Sequence, residues 1–131
     1  DEINRPEVGV NYGWPVISYG RHYSGFSIGV GTEQEGLAQP VFFWDPSIAP
    51  SGLAVYRGAM FPEWDGDLLV GALKFELISR LDMTGDVVTG EERLLEGEFG
   101  RVRDVRVGPD GAVWFITDEG RGGLYRITRA E

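Results

Sequence analysis

The chain has 131 residues, 42% hydrophobic and 25% charged, enough for one ordinary domain burying roughly two thirds of its unfolded surface, and a composition that excludes a disordered chain. A formal net charge of -9, from 12 Lys and Arg against 21 Asp and Glu, works against nucleic acid and anionic membrane surfaces as partners, because both are bound through cation–phosphate contacts. Cysteine is absent while glycine reaches 20 and proline 7, so thiol chemistry is excluded and many tight turns between short strands are predicted.

In chain order, residues 1–40 are the least regular, with one predicted strand at 15–19 and glycine-rich turns over 25–36. Predicted strands then follow at 41–44, 52–56, 67–72, 77–81, 91–95, 103–107, 112–117 and 123–127. All but 91–95, which is placed as the fourth strand of the first repeat, are short, β-branched or aromatic, and bounded by turn formers. Asp-Gly pairs in 64–67 and 109–112 predict tight hairpin turns, since both residue types tolerate the backbone that such turns need. Residues 82–86 and 118–123 read as looser turns. No helix competes with these strands, and no apolar run approaches the ~20 residues that span a bilayer. Because the chain opens with Asp1 and not Met, it is expected to be a processed or excised piece.

Residues 51–81 can be laid over 103–127: a strand, a turn with Asp-Gly, a second strand, then a third. The offset of about 50 residues is that of a propeller blade. The predicted fold is therefore all-β, a partial β-propeller of consecutive four-stranded antiparallel sheets. Residues 1–50 are expected to form a connecting segment and the outer part of a preceding blade, 51–98 one blade, and 99–131 three strands of the last. Two blades cannot close a ring, so the last sheet needs an outer strand from elsewhere.

Few residues suggest chemistry. His22 is the only histidine and reads as a loop residue, with no partners at catalytic or metal-binding spacing. The acidic pairs Glu33 and Glu35, Glu91 and Glu92, and Asp118 and Glu119 read as solvated faces, and no twelve-residue calcium loop is present. Three features stand out. Arg101 and Arg103 alternate at a strand entrance, where two guanidinium forks could hold a ligand with several carboxylates. The plain alternative is that one pairs with Asp104 and the other faces solvent. Lys74, the only lysine, follows the apolar run 70–73 at a strand end. Trp14 and Trp44 sit in proline-bearing loops, where a ring could roof a flat ligand or pack in the core.

Together, Asn11-Tyr12-Gly13-Trp14-Pro15, the loop 44–52, Phe61-Pro62-Glu63-Trp64 with Leu69-Val70-Gly71-Ala72-Leu73-Lys74, Arg101-Val102-Arg103-Asp104-Val105 and Gly108-Pro109-Asp110-Gly111 resemble the soluble PQQ-dependent aldose (glucose/sorbosone) dehydrogenases, over nearly the whole chain. Only the C-terminal third or so of that family's six-bladed propeller is represented. The resemblance implies oxidation of an aldose at its anomeric hydroxyl, with hydride transfer to PQQ, calcium (Ca2+) at the cofactor and an external electron acceptor. It implies PQQ-binding roles for Lys74, Arg101 and Arg103, backbone-carbonyl calcium ligands within Gly13, Trp14 and Pro15, and an aromatic over the cofactor region at Trp44. It also implies a periplasmic or secreted location.

The family's catalytic histidine lies in an earlier blade, outside this sequence, so no catalytic residue is assigned and the isolated chain is expected to be inactive. Exposed blade faces and sheet edges are expected to pair with the missing blades or with a second copy. The alternative reading is a cofactor-free propeller fragment acting as a binding or scaffold module.

Overall fold

A computed structural model describes residues 1–130. Contacts divide the chain into two compact units, Asp1–Ile48 and a second that begins at Ala49. Among the described residues there is no α-helix, and no helix is long and apolar enough to cross a membrane.

The first unit holds little regular structure. Strand β1 (Glu2–Ile3) pairs antiparallel with β2 (Phe42–Phe43), and Tyr19 stacks on Phe43 with ring centroids 3.7 Å apart. The strand predicted at 15–19 does not form. The Val16 and Ile17 amides both donate to the Gly13 carbonyl, curling this stretch into a turn, and Pro15 has no N–H to give a ladder. Beyond the turn, Val30 and Ser18 donate to Val16 and Gly31 respectively.

The second unit carries two antiparallel sheets. The first runs in the order β3 (Pro50–Val55), β4 (Leu68–Ala72), β5 (Leu77–Thr84) and β6 (Val87–Leu94); the second in the order β7 (Val102–Val107), β8 (Val113–Thr117) and β9 (Leu124–Ile127). Two turns differ from expectation. Strand β5 continues through 82–84, where a loose turn was predicted, because the Met83 amide donates to Asp67 Oδ1 at 2.9 Å and Thr84 pairs with Val87. Only Gly85 and Asp86 make the reversal, with Gly85 at φ 61°. The Asp65-Gly66 pair closes a longer connection, which contains a single 3-10 turn at Pro62–Trp64.

Register decides which side chains enter the core. Val105, Phe115 and Tyr125 lie opposite one another across β7, β8 and β9, as do Val107, Val113 and Ile127. This face meets Leu69 and Ile78 of the first sheet, with Tyr56 and Phe61 of the β3–β4 connection completing the core. Each fully buried side chain of this size contributes roughly 1.5–3 kcal/mol. The fully buried Tyr56 hydroxyl donates to the Gly111 carbonyl at 2.7 Å and accepts from the Phe61 amide at 3.0 Å, tying the long β3–β4 connection to the β7–β8 turn.

The Arg80 guanidinium, mostly buried, bonds Asp67, Asp82 and Glu92 and lies 5.4 Å from the Trp64 ring. Burial alone pulls its pKa down, but the hydrogen bonds it donates to Glu92, Asp67 and Asp82 outweigh it and hold the group above its ordinary value.

Candidate functional site

Arg101 ends the approach to β7, and Arg103 is the extra residue of a bulge in that strand. Val102 faces Thr117 and Asp104 faces Ile116, so two steps on β7 match one on β8. Such bulges re-aim a side chain at a sheet edge. The backbone fixes what they aim at, because the Asp118 amide donates to the Arg101 carbonyl at 2.8 Å. Both guanidiniums then converge on a single oxygen: Arg103 Nη2 donates to Asp118 Oδ2, and Arg101 Nη2 stands 3.8 Å from the same atom. The three side chains keep 50%, 46% and 43% of their exposure for Arg103, Arg101 and Asp118. The plain alternative, one arginine on Asp104, is not what forms. Asp104 Oδ1 is taken by Arg106 at 2.7 Å and by the Val105 amide at 2.9 Å.

Lys74 is exposed in the turn joining β4 to β5. Its Nζ lies 5.9 Å from the centroid of Phe75, and the Arg93 guanidinium stands 5.5 Å from the same ring, so the face of one aromatic attracts two cations. Packing sets where this turn lies. The end of β4 touches the start of β7: a Cβ on Gly71 would fall 2.6 Å from Ser51 Oγ and 2.9 Å from Val102 Cγ1, and Ser51 Oγ donates to the Val102 carbonyl at 2.7 Å. Lys74, three residues past Gly71, and Arg101 and Arg103, either side of Val102, therefore share the end of the sheets where β4 leaves and β7 enters. Four cations, Lys74, Arg93, Arg101 and Arg103, sit there, with Asp118 on the arginine pair and the Glu119 carboxylate against Gly100, on a chain whose net charge is -9.

In the first unit, Gly13 is buried, Trp14 and Pro15 are exposed, and the Trp14–Pro15 peptide bond is cis. The Gly13 carbonyl accepts from both Val16 and Ile17, which uses its two lone pairs. Among the described residues no hydrogen bond ends on the Trp14 or Pro15 carbonyl. Gly29 closes over this turn at φ 66°, and a Cβ there would lie 2.6 Å from the Pro15 oxygen. No group of three or more His, Asp or Glu side chains suited to a metal occurs among the described residues. Trp44 is 4% exposed, its ring edge-on to Phe42 at 5.0 Å. His22 is exposed in a turn closed by its own amide and carbonyl. It lines an open cavity of about 480 Å³ with Tyr12, Trp14, Arg21, Tyr23 and Ser47, a feature with no periodic signal in the sequence.

Two consecutive antiparallel sheets packed face to face, with polar clusters at their ends, define a piece of a β-propeller. The family described as Glucose / Sorbosone dehydrogenase matches residues 1–126. The chain is 45% identical over 130 residues to the aldose sugar dehydrogenase YliI of Escherichia coli (strain K12), covering 98% of this chain and 35% of that protein. A crystal structure of glucose dehydrogenase superposes with TM-score 0.95 at 43% identity, over 99% of this chain and 38% of that one. The PQQ-bound form of an aldose sugar dehydrogenase from Streptomyces coelicolor gives TM-score 0.65 at 30% identity, over 89% and 30%. The chain thus belongs to the glucose/sorbosone dehydrogenase family, and it spans about a third of the length of the relatives it matches.

Proposed function

We propose that this chain supplies part of the cofactor-binding apparatus of a PQQ- and calcium-dependent aldose sugar dehydrogenase. One observation carries the reading: Arg101 and Arg103 converge on one carboxylate oxygen while keeping about half of their surface open. Each guanidinium has five donors in a planar fork, and Asp118 occupies only part of each. The remaining donors suit the carboxylates of PQQ, and Lys74 adds a third cation at the same end of the sheets. In the first unit, the Trp14 and Pro15 carbonyls are the proposed calcium ligands. They are hard oxygens of the kind calcium takes, and the occupied Gly13 carbonyl is the least suited of the three. When bound, PQQ supplies the hydride acceptor for oxidation at the anomeric carbon of an aldose, and an external acceptor takes the electrons onward.

No side chain in this chain is proposed as the base that takes the hydroxyl proton; that role falls to the part of the family's length outside it, and the protein is proposed to act in the periplasm or outside the cell. A second reading is a cofactor-free binding or scaffold module, favoured by the charge compensation that Asp118 already gives both arginines.

Calorimetric titration of PQQ into the chain, with calcium present, separates the two. The quinoprotein reading expects saturable binding, weakened at least tenfold by Arg101→Ala/Arg103→Ala and less by Lys74→Ala, with dye reduction on aldoses at background. Binding that both substitutions leave unchanged would overturn the assignment of these residues.

A further inference from the structure

We propose that Asp118 is a positioning residue for the arginine pair, holding both guanidiniums at one point so that their free edges meet an incoming carboxylate group together. The inference rests on the reading of Arg101 and Arg103 as PQQ ligands. Asp118 itself is used by neither the resemblance nor the composition, and the sequence reads it as part of a solvated acidic pair.

Two like charges brought close repel, and both arginine side chains have many rotamers. Left alone, they would spread into solvent. Asp118 counters both tendencies with one oxygen, Oδ2, which receives Arg103 Nη2 and faces Arg101 Nη2 at 3.8 Å. The aspartate is well placed for this because its backbone is pinned. Its amide donates to the Arg101 carbonyl, and the neighbouring Thr117 pairs with Val102 and accepts the Gly123 amide on Oγ1 at 2.9 Å. The bulge at Arg103 is the other half of the device, since it frees that residue from the ladder and lets its side chain reach the same oxygen as Arg101.

Ion pairs this exposed add little to folding stability, so the contribution is to orientation. A pre-gathered pair loses less side-chain freedom on binding, which for two arginines is worth on the order of tenfold in affinity. The opposite role, a competitor that must be displaced by the ligand, would make removal of Asp118 strengthen binding.

The test compares the chain with Asp118→Asn and Asp118→Glu. Far-UV circular dichroism and the melting temperature are expected to stay unchanged in both. Affinity for PQQ is expected to fall about tenfold in Asp118→Asn and to return in part in Asp118→Glu. Equal or tighter binding by Asp118→Asn would overturn the proposal. A second readout uses no cofactor: NMR of the arginine side chains, where the Arg103 guanidinium is expected to rotate and exchange slowly in the parent chain and in Asp118→Glu, and fast in Asp118→Asn. If the parent chain fails to bind PQQ, the cofactor reading falls. The positioning role is then decided by NMR alone, supported by loss of the slow guanidinium in Asp118→Asn and overturned by its persistence.

Discussion

At the scale of single residues, local chemistry in the sequence marked candidates, while pairing was set by register. Arg101, Arg103 and Lys74 stand out as scarce cations in an acidic chain, but nothing local says that Asp118, fifteen residues from Arg103, closes the pair. Trp44 shows the reverse case: a loop tryptophan between Phe43 and Asp45-Pro46 carries no mark of whether its ring packs or stays open, and burial against Phe42 decides it. Tyr56 gives a residue whose value lies wholly in its hydroxyl. Its buried O–H serves the Gly111 carbonyl and the Phe61 amide, and Tyr56→Phe removes it without changing the ring packing. Two buried backbone groups would lose their partner, each at about 1–3 kcal/mol. Urea unfolding is expected to show a loss of about 2–6 kcal/mol with an unchanged m-value. A loss under 0.5 kcal/mol would mean that water replaces the hydroxyl.

At the scale of elements, eight predicted strands correspond to β2–β9; seven carry their own β-branched or aromatic signal, and the eighth, 91–95, follows from the four-stranded repeat, while its β-branched residues Val87, Val88 and Thr89 lie before the predicted range. The failures have a common cause in turns. The 15–19 stretch looks strand-like by composition, yet the Gly13 carbonyl captures two amides and curls it. Residues 82–86 look like a loop by composition, yet Asp67 holds the Met83 amide and prolongs β5. In the first case a local turn bond, and in the second a side chain sixteen residues away, outweighs the preference that composition suggests. One element contact links packing to the candidate site. Gly71 lets β4 lie against Val102 and Ser51, with no room for a methyl group. Gly71→Ala is therefore expected to push β4 away from β7 at a cost of about 1–3 kcal/mol, and to move the Lys74 turn away from the arginine pair. Its PQQ affinity is expected to fall although no ligating side chain has changed. An unaltered affinity alongside the lower melting temperature would show that Lys74 acts independently of that packing.

At the scale of the whole molecule, the second sheet has three strands where the first has four, and among the described residues the outer edge of β9 pairs with no strand. Its face away from the core is apolar in part: Ile116 and Leu124 lie opposite each other on β8 and β9, 41% and 66% exposed. An open β-edge beside exposed aliphatic side chains is a template for association. In relatives about three times as long, further chain is available to cover it. We propose that a neighbouring sheet of the family-length protein takes this face, and that in the isolated chain a second copy takes its place. Sedimentation velocity is then expected to show larger species as concentration rises. Ile116→Lys/Leu124→Lys is expected to return the chain towards monomer, because two desolvated cations would face each other across such a contact. Single surface substitutions of this kind usually change folding stability by no more than about 0.5 kcal/mol, so unfolding of the parent and variant monomers serves as the control. A parent chain that sediments as one monomeric species at every concentration would remove the self-association and leave only the covering by further chain to be tested.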